Sequence, residues 1–127
     1  MFRMVFRSNV QVSILRSMIA PTALIGGNLL FNIVANTSFK LSAASPAWRG
    51  FLAWQLIGNV AGFITVLTLT GLLRYVPLHV AYPITAGLAM IGVQVVAAGL
   101  IFREPISSAQ WLGTFMVVAG IALISGR

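Results

Sequence analysis

The sequence predicts an all-α integral membrane protein, a four-transmembrane-helix bundle. Three observations carry this prediction. Hydrophobic residues make up 59% of the 127 positions and charged residues 7%, where soluble domains carry about 25% charge. Four apolar runs, at about residues 18–39, 50–73, 80–102 and 108–125, have bilayer-spanning length, since a hydrocarbon core of about 30 Å takes roughly 20 residues of helix. The short segments between them hold turn and cap residues. An open strand cannot satisfy its backbone polar groups in lipid, which leaves helices or a closed barrel. The alternating ten-residue segments of a barrel are missing.

The elements follow in order. Residues 1–17 form a basic leader carrying Arg3, Arg7 and Arg16, expected to lie along the cytoplasmic interface. The apolar run after Arg16 is too long for a signal peptide and lacks an A-x-A cleavage site. The four-helix domain occupies residues 18–127. Ser45 and Pro46 suit the N-cap and first helical position before the second span. Pro77, in RYVPLH (74–79), turns the chain between the second and third. Ser107 and Gln110 have the spacing of a capping box, with Ile106 and Trp111 placed for a hydrophobic staple, so the fourth helix starts there. Trp48, Trp54 and Trp111 read as interface anchors, and His79 as a helix cap or a headgroup contact. Gly58 and Gly62 make a GxxxG, read as close helix packing.

Charge and composition exclude several classes. The net charge is +7, but the basic residues flank apolar runs rather than forming a patch. Membrane lipids, not nucleic acid, are therefore the expected partner. Four spans place both termini on one side with Arg3, Arg7, Arg16, Arg74 and Arg127, against Lys40, Arg49 and Arg103 on the other. The positive-inside rule then puts the termini in the cytoplasm. That bias rests on the leader, and inverted or dual insertion stays open without it. The chain has no cysteine, one histidine and one acidic residue, too few for a zinc or two-carboxylate site, so neither metal nor cofactor is expected. It has no nucleophile–base pair, P-loop or dinucleotide fingerprint, and an enzyme is not expected.

The first span carries an unusual series. Asn28, Asn32 and Asn36 recur every four residues, and Lys40 takes the next step. Each step drifts by only about 40° on an α-helix, so the amides form a stripe. Polar side chains in a bilayer normally face a bundle interior or a wet cavity. Gln55 and Asn59 in the second span, and Tyr82, Thr85 and Gln94 in the third, are candidate partners. One reading is interhelical glue, worth about 0.6–2 kcal/mol per hydrogen bond. The other is a neutral substrate cavity built from Asn28, Asn32, Asn36, Asn59, Tyr82 and Thr85; the two are compatible. Lys40 and Arg103 either draw anionic headgroups to the non-cytoplasmic mouth or simply snorkel.

Several stretches resemble a known group. YVPLHVAYPITAG (75–87), IFREPIS (101–107), GTFMVVAGI (113–121) and GGNLLFNIVANTSFK (26–40) together resemble the four-helix small multidrug resistance transporters of the drug/metabolite transporter superfamily. The resemblance covers about residues 20–126. It implies a bacterial inner-membrane protein, a homodimer or a heterodimer with a related four-helix protein, a protomer seam at Gly113 and Gly120, and a substrate site around residue 32. The departures are specific. Asn32 stands where that family has its acidic residue, Thr85 replaces a Trp, and the Gly-x-Gly hinge reads Gly87-Leu88-Ala89. An amide neither titrates nor pairs with a cation. AYP (81–83), EP (104–105) and Trp111-Leu112-Gly113 are similar to another branch, the paired subunits proposed to flip aminoarabinose on polyprenyl phosphate. The expectation is a small transporter or flippase subunit for a polar metabolite or lipid-linked sugar, without a membrane carboxylate. A non-transporting accessory subunit of a larger complex is the alternative, and a multidrug efflux protein a third.

Overall fold

A computed structural model describes the backbone of residues 2–126 and the side chains of Asn9 and residues 16–126. It contains α1 (Phe2–Ala44), α2 (Trp48–Leu72), α3 (Leu78–Gly92) continuing into a π-helical segment (Val93–Ile101), and α4 (Ser108–Ser125). No strand occurs among the described residues. Each helix contains a stretch long and apolar enough to cross a membrane: Arg16–Ala44, Trp48–Leu72, Leu78–Ile101 and Ser108–Ser125. The chain is a multi-pass membrane protein with an all-α fold.

Large apolar side chains, among them Leu30, Leu56, Phe63, Leu100 and Phe115, stand exposed on the outer faces. Lipid tails are as apolar as leucine, so burying these groups would gain little; association depends on close packing and polar bonds. The buried apolar residues accordingly are small, Ala35, Ala61, Ala81 and Ala97, with Leu72 as the one large exception, and the buried polar residues are Asn28, Ser38, Ser42 and Thr85. Helix α1 packs most extensively on α2 and also touches α3 and the π segment, while α4 touches only the third span, α3 and the π segment.

The α1–α2 hairpin is antiparallel and in constant register. Asn28 Nδ2 donates to the Thr65 carbonyl at 3.0 Å, and Ser42 Oγ to the Phe51 carbonyl at 2.8 Å. Fourteen residues separate the two contacts on each helix (28 to 42, 51 to 65). Between them a Cβ built on buried Gly58 would lie 2.5 Å from the Phe39 ring, so only glycine admits that ring. Gly62, its partner in the GxxxG, has no atom within 4 Å of a built Cβ and does not share this role.

Helix ends differ from expectation where no local signal sets them. Helix α1 continues to Ala44, five residues past the expected end. Nothing in the sequence stops it before Pro46, which disfavours α geometry at Ser45. Ser45 closes α1 instead of capping α2: its N–H donates to the Ser42 carbonyl and its Oγ to Leu41 O. The N-cap of α2 is Ala47, without a side-chain bond. The backbone of the leader is continuous with α1, and Pro21 lies inside that helix. Beside this break the Thr22 hydroxyl donates to Met18 O at 2.7 Å. The side chains of Arg3, Arg7 and Arg127 lie outside the described residues. The capping box of α4 is formed as predicted, with Gln110 N–H donating to Ser107 Oγ and Ser107 N–H to Gln110 Oε1.

The second half of the third span winds as a π-helix over nine residues, where single π turns are the usual form. Its end is closed by Arg103, a non-glycine residue at φ 51°. The Glu104 N–H then reaches back to the Ala98 carbonyl at 2.8 Å. This is a Schellman-type closure, one residue wider than usual because the helix it closes is π.

Candidate functional site: a charge-free polar cleft between three helices

Near the middle of the first span, Asn28 and Asn32 from α1, Thr65, Val66 and Leu69 from α2, and Tyr82 and Thr85 from α3 line a cleft of about 240 Å³. Four of the six predicted substrate residues therefore converge. Asn36 and Asn59 do not: both are exposed, outside the cleft. The reason is the helical drift. Across the series Asn28 is 4% exposed, Asn32 is half-buried and Asn36 is exposed, as expected when each step rotates the stripe by about 40° away from the interface. On α2, the constant register sets buried Ala61, not Asn59, opposite Asn32. Asn59 instead donates to the Gln55 carbonyl and to Gln55 Oε1 on its own helix.

The three amides have different bonding states. Asn28 Nδ2 donates to Thr65 O at 3.0 Å and Thr68 Oγ1 at 3.2 Å, while its Oδ1 accepts from Asn32 Nδ2 at 2.9 Å. Its polar atoms are all engaged, and it joins α1 to α2. Asn32 Nδ2 also faces the Asn28 carbonyl at 3.0 Å. Only a donor can face that oxygen, which fixes the amide's orientation. Asn32 Oδ1 then has no hydrogen-bond partner among the described residues. Asn36 Nδ2 donates to Asn32 O at 2.9 Å. Thr85 is buried, and its hydroxyl donates to Ala81 O and Tyr82 O, which keeps its lone pairs available as acceptors. Tyr82 is exposed at the rim. The cleft thus presents acceptors at Asn32 and Thr85, a phenol that can donate or accept, and no charged side chain.

Thr65 and Thr68 were not among the predicted site residues. Their i, i+3 spacing on α2 is a signal only once the hairpin register is known. The same holds for Ser42, which is fully buried and accepts from Gln55 Nε2 at 3.3 Å, so Gln55 serves the hairpin rather than the cleft. Gln94 lies outside the cleft as well; its Oε1 accepts from Thr114 Oγ1 at 2.7 Å and joins the π segment to α4.

At the far mouth Lys40 Nζ pairs with Glu104, the sole acidic residue of the chain, at 3.0 Å. The side chains are 53% and 44% exposed, and an ion pair of this kind is worth about 0.2–1 kcal/mol. Arg103 is exposed beside it. Gly113 and Gly120 have no atom within 4 Å of a built Cβ, and α4 has no buried residue. Its glycine face is open in the single chain. No cluster of three metal-ligating side chains occurs among the described residues. No family model matches the chain, and no curated protein or solved structure matches it either.

Proposed function

We propose that the chain is one protomer of a small membrane transporter or flippase, and that it carries a neutral, hydroxyl- or amine-bearing group past the Asn32–Tyr82–Thr85 cleft. The observation that carries this reading is the acceptor-rich, charge-free lining of a cavity shared by three helices. A sugar ring or an uncharged amine supplies the donors such a lining lacks. A bare phosphate does not, and would keep to the basic mouth at Lys40 and Arg103. Ligand pockets usually measure about 300–1,000 Å³; the cleft is smaller, which favours a site completed by a second protomer, a copy of this chain or a related four-helix protein. The resemblance to the small multidrug resistance transporters supports the same location. Its departure at Asn32 argues against proton-coupled export of cations, because the one carboxylate, Glu104, lies in a loop and is paired with Lys40.

The test compares Asn32→Leu with wild type in proteoliposomes, using free monosaccharides and a short-chain polyprenyl-phosphate aminosugar as probes. Loss of about tenfold or more in rate is expected when a buried polar partner is removed from a site built to hydrogen-bond its ligand. Full activity of the variant would rule the cleft out as the pathway.

A second reading is that of a non-transporting accessory subunit, and the full engagement of Asn28 by α2 and by Asn32 favours it. It predicts co-purification with a larger complex and no thermal shift with either probe.

A further inference from the structure

A second cleft, of about 360 Å³, lies between the π segment and the start of α4, lined by Gln94, Glu104, Gln110 and Thr114 with Pro105 and Ile106. It shares no residue with the Asn32 cleft. Its chemistry is also different. Gln110 Oε1 is held by the Ser107 N–H, and Gln94 Oε1 faces the Thr114 hydroxyl at 2.7 Å, which shares its proton with the Gln110 main-chain carbonyl at 2.9 Å. Both amides therefore keep their NH₂ groups without an acceptor among the described residues. Beside these donors the Glu104 carboxylate lines the cleft, and Lys40, which stands outside the lining, reaches that carboxylate from α1 at 3.0 Å.

We propose that this cleft binds the headgroup of a bilayer phospholipid that joins a phosphodiester to a primary ammonium. The phosphate oxygens take the two amide donors and Lys40, and the ammonium takes Glu104, so the ligand exchanges one exposed ion pair for two. A ligand of one charge cannot do this. An anion alone takes Lys40 and leaves the Glu104 carboxylate without its partner, and a cation alone takes Glu104 and leaves Lys40 without one. A quaternary ammonium lacks the N–H needed for a charge-assisted hydrogen bond to the carboxylate. The location favours the bilayer over a soluble source, since the cleft opens where the third span ends and α4 begins.

The inference does not rest on the transport reading, because Asn32 variants leave this cleft intact and Glu104 variants leave the other one intact. The experiment is native mass spectrometry of the detergent-purified chain mixed with equal amounts of phosphatidylethanolamine, its N-monomethyl and N,N-dimethyl forms, phosphatidylcholine and phosphatidylglycerol. Retention is expected to fall with each added methyl group, by about tenfold in total from the ethanolamine to the choline lipid, as the hydrogen bonds to a charged acceptor are removed. Glu104→Gln is expected to flatten that series, and Lys40→Gln to lower retention of the ethanolamine lipid and the phosphatidylglycerol together. Soluble glycerophosphoethanolamine at the same concentration is expected not to compete. Equal retention of all five lipids by the wild-type chain overturns the proposal without any variant having to fold. So does a methylation series unchanged in Glu104→Gln, and effective competition by the soluble headgroup would overturn its assignment to the bilayer.

Discussion

The hairpin of α1 and α2 and the pair formed by α3 and α4 are both antiparallel neighbours in one chain, but they are held differently. The first is tied at both ends by buried polar contacts, Asn28 to Thr65 and Ser42 to Phe51, with the Phe39 ring seated on Gly58 between them. The second is held by one side-chain bond, Gln94 to Thr114, and by Ile121 against Gly87. Its outer helix buries no residue. In a solvent as apolar as the side chains, hydrophobic burial cannot even out such a difference. The hairpin is the scaffold, and the cleft sits where the third helix leans against it.

Four substitutions sharpen or break this contrast. The largest effect is expected from Gly58→Val, which places methyl groups inside the space of the Phe39 ring; overpacking of this kind costs about 3 kcal/mol at its upper range. Thermal unfolding in mild detergent reads it, and an unshifted midpoint would mean that the hairpin is not the scaffold. Asn28→Leu should cost about 1–2 kcal/mol by the same measurement, since it removes two interhelical donors of the strength usual between membrane helices. Asn32→Leu should cost less, because its amide bonds only within α1. If the two variants destabilise equally, the division between tie and cleft fails. The smallest effect belongs to α4. A Cβ built on Gly120 meets no atom within 4 Å in the single chain, so Gly120→Leu is expected to act as an open surface change and shift stability by less than about 0.5 kcal/mol. If Gly113 and Gly120 form a seam between protomers, the same change instead dissociates the dimer, seen by size-exclusion chromatography with light scattering.

What was legible in the sequence follows the range of the forces involved. Four apolar runs gave four helices because bilayer thickness sets their length. The start of α4 is correct to the residue because a capping box is made of atoms three residues apart. The end of α1 was missed because Lys40 and Leu41 carry no stop signal and the helix runs until Pro46 forbids it. Nothing local marks the π winding of Val93–Ile101, since α and π forms of one segment use the same side chains. The stripe of amides was legible as a stripe, but its sharing among tie, cleft and surface depends on a register that only the packed hairpin sets. Asn32, Tyr82 and Thr85 are each legible as polar residues within a span; their meeting at one cleft is a fact of tertiary packing that periodicity alone does not contain. Thr65 and Thr68 were passed over because threonine in a span is ordinary until an asparagine stands opposite.

The single-sided attachment of α4 bears on how the molecule is made. This helix follows the third span out of the ribosome and touches only that span, so the first three spans can complete their mutual contacts before the fourth has entered the bilayer. A late arrival held by one neighbour is also the piece that could trade places with its counterpart in another copy at least expense. If two copies pair through α4, assembly of that pair and insertion of the final helix become one event rather than two.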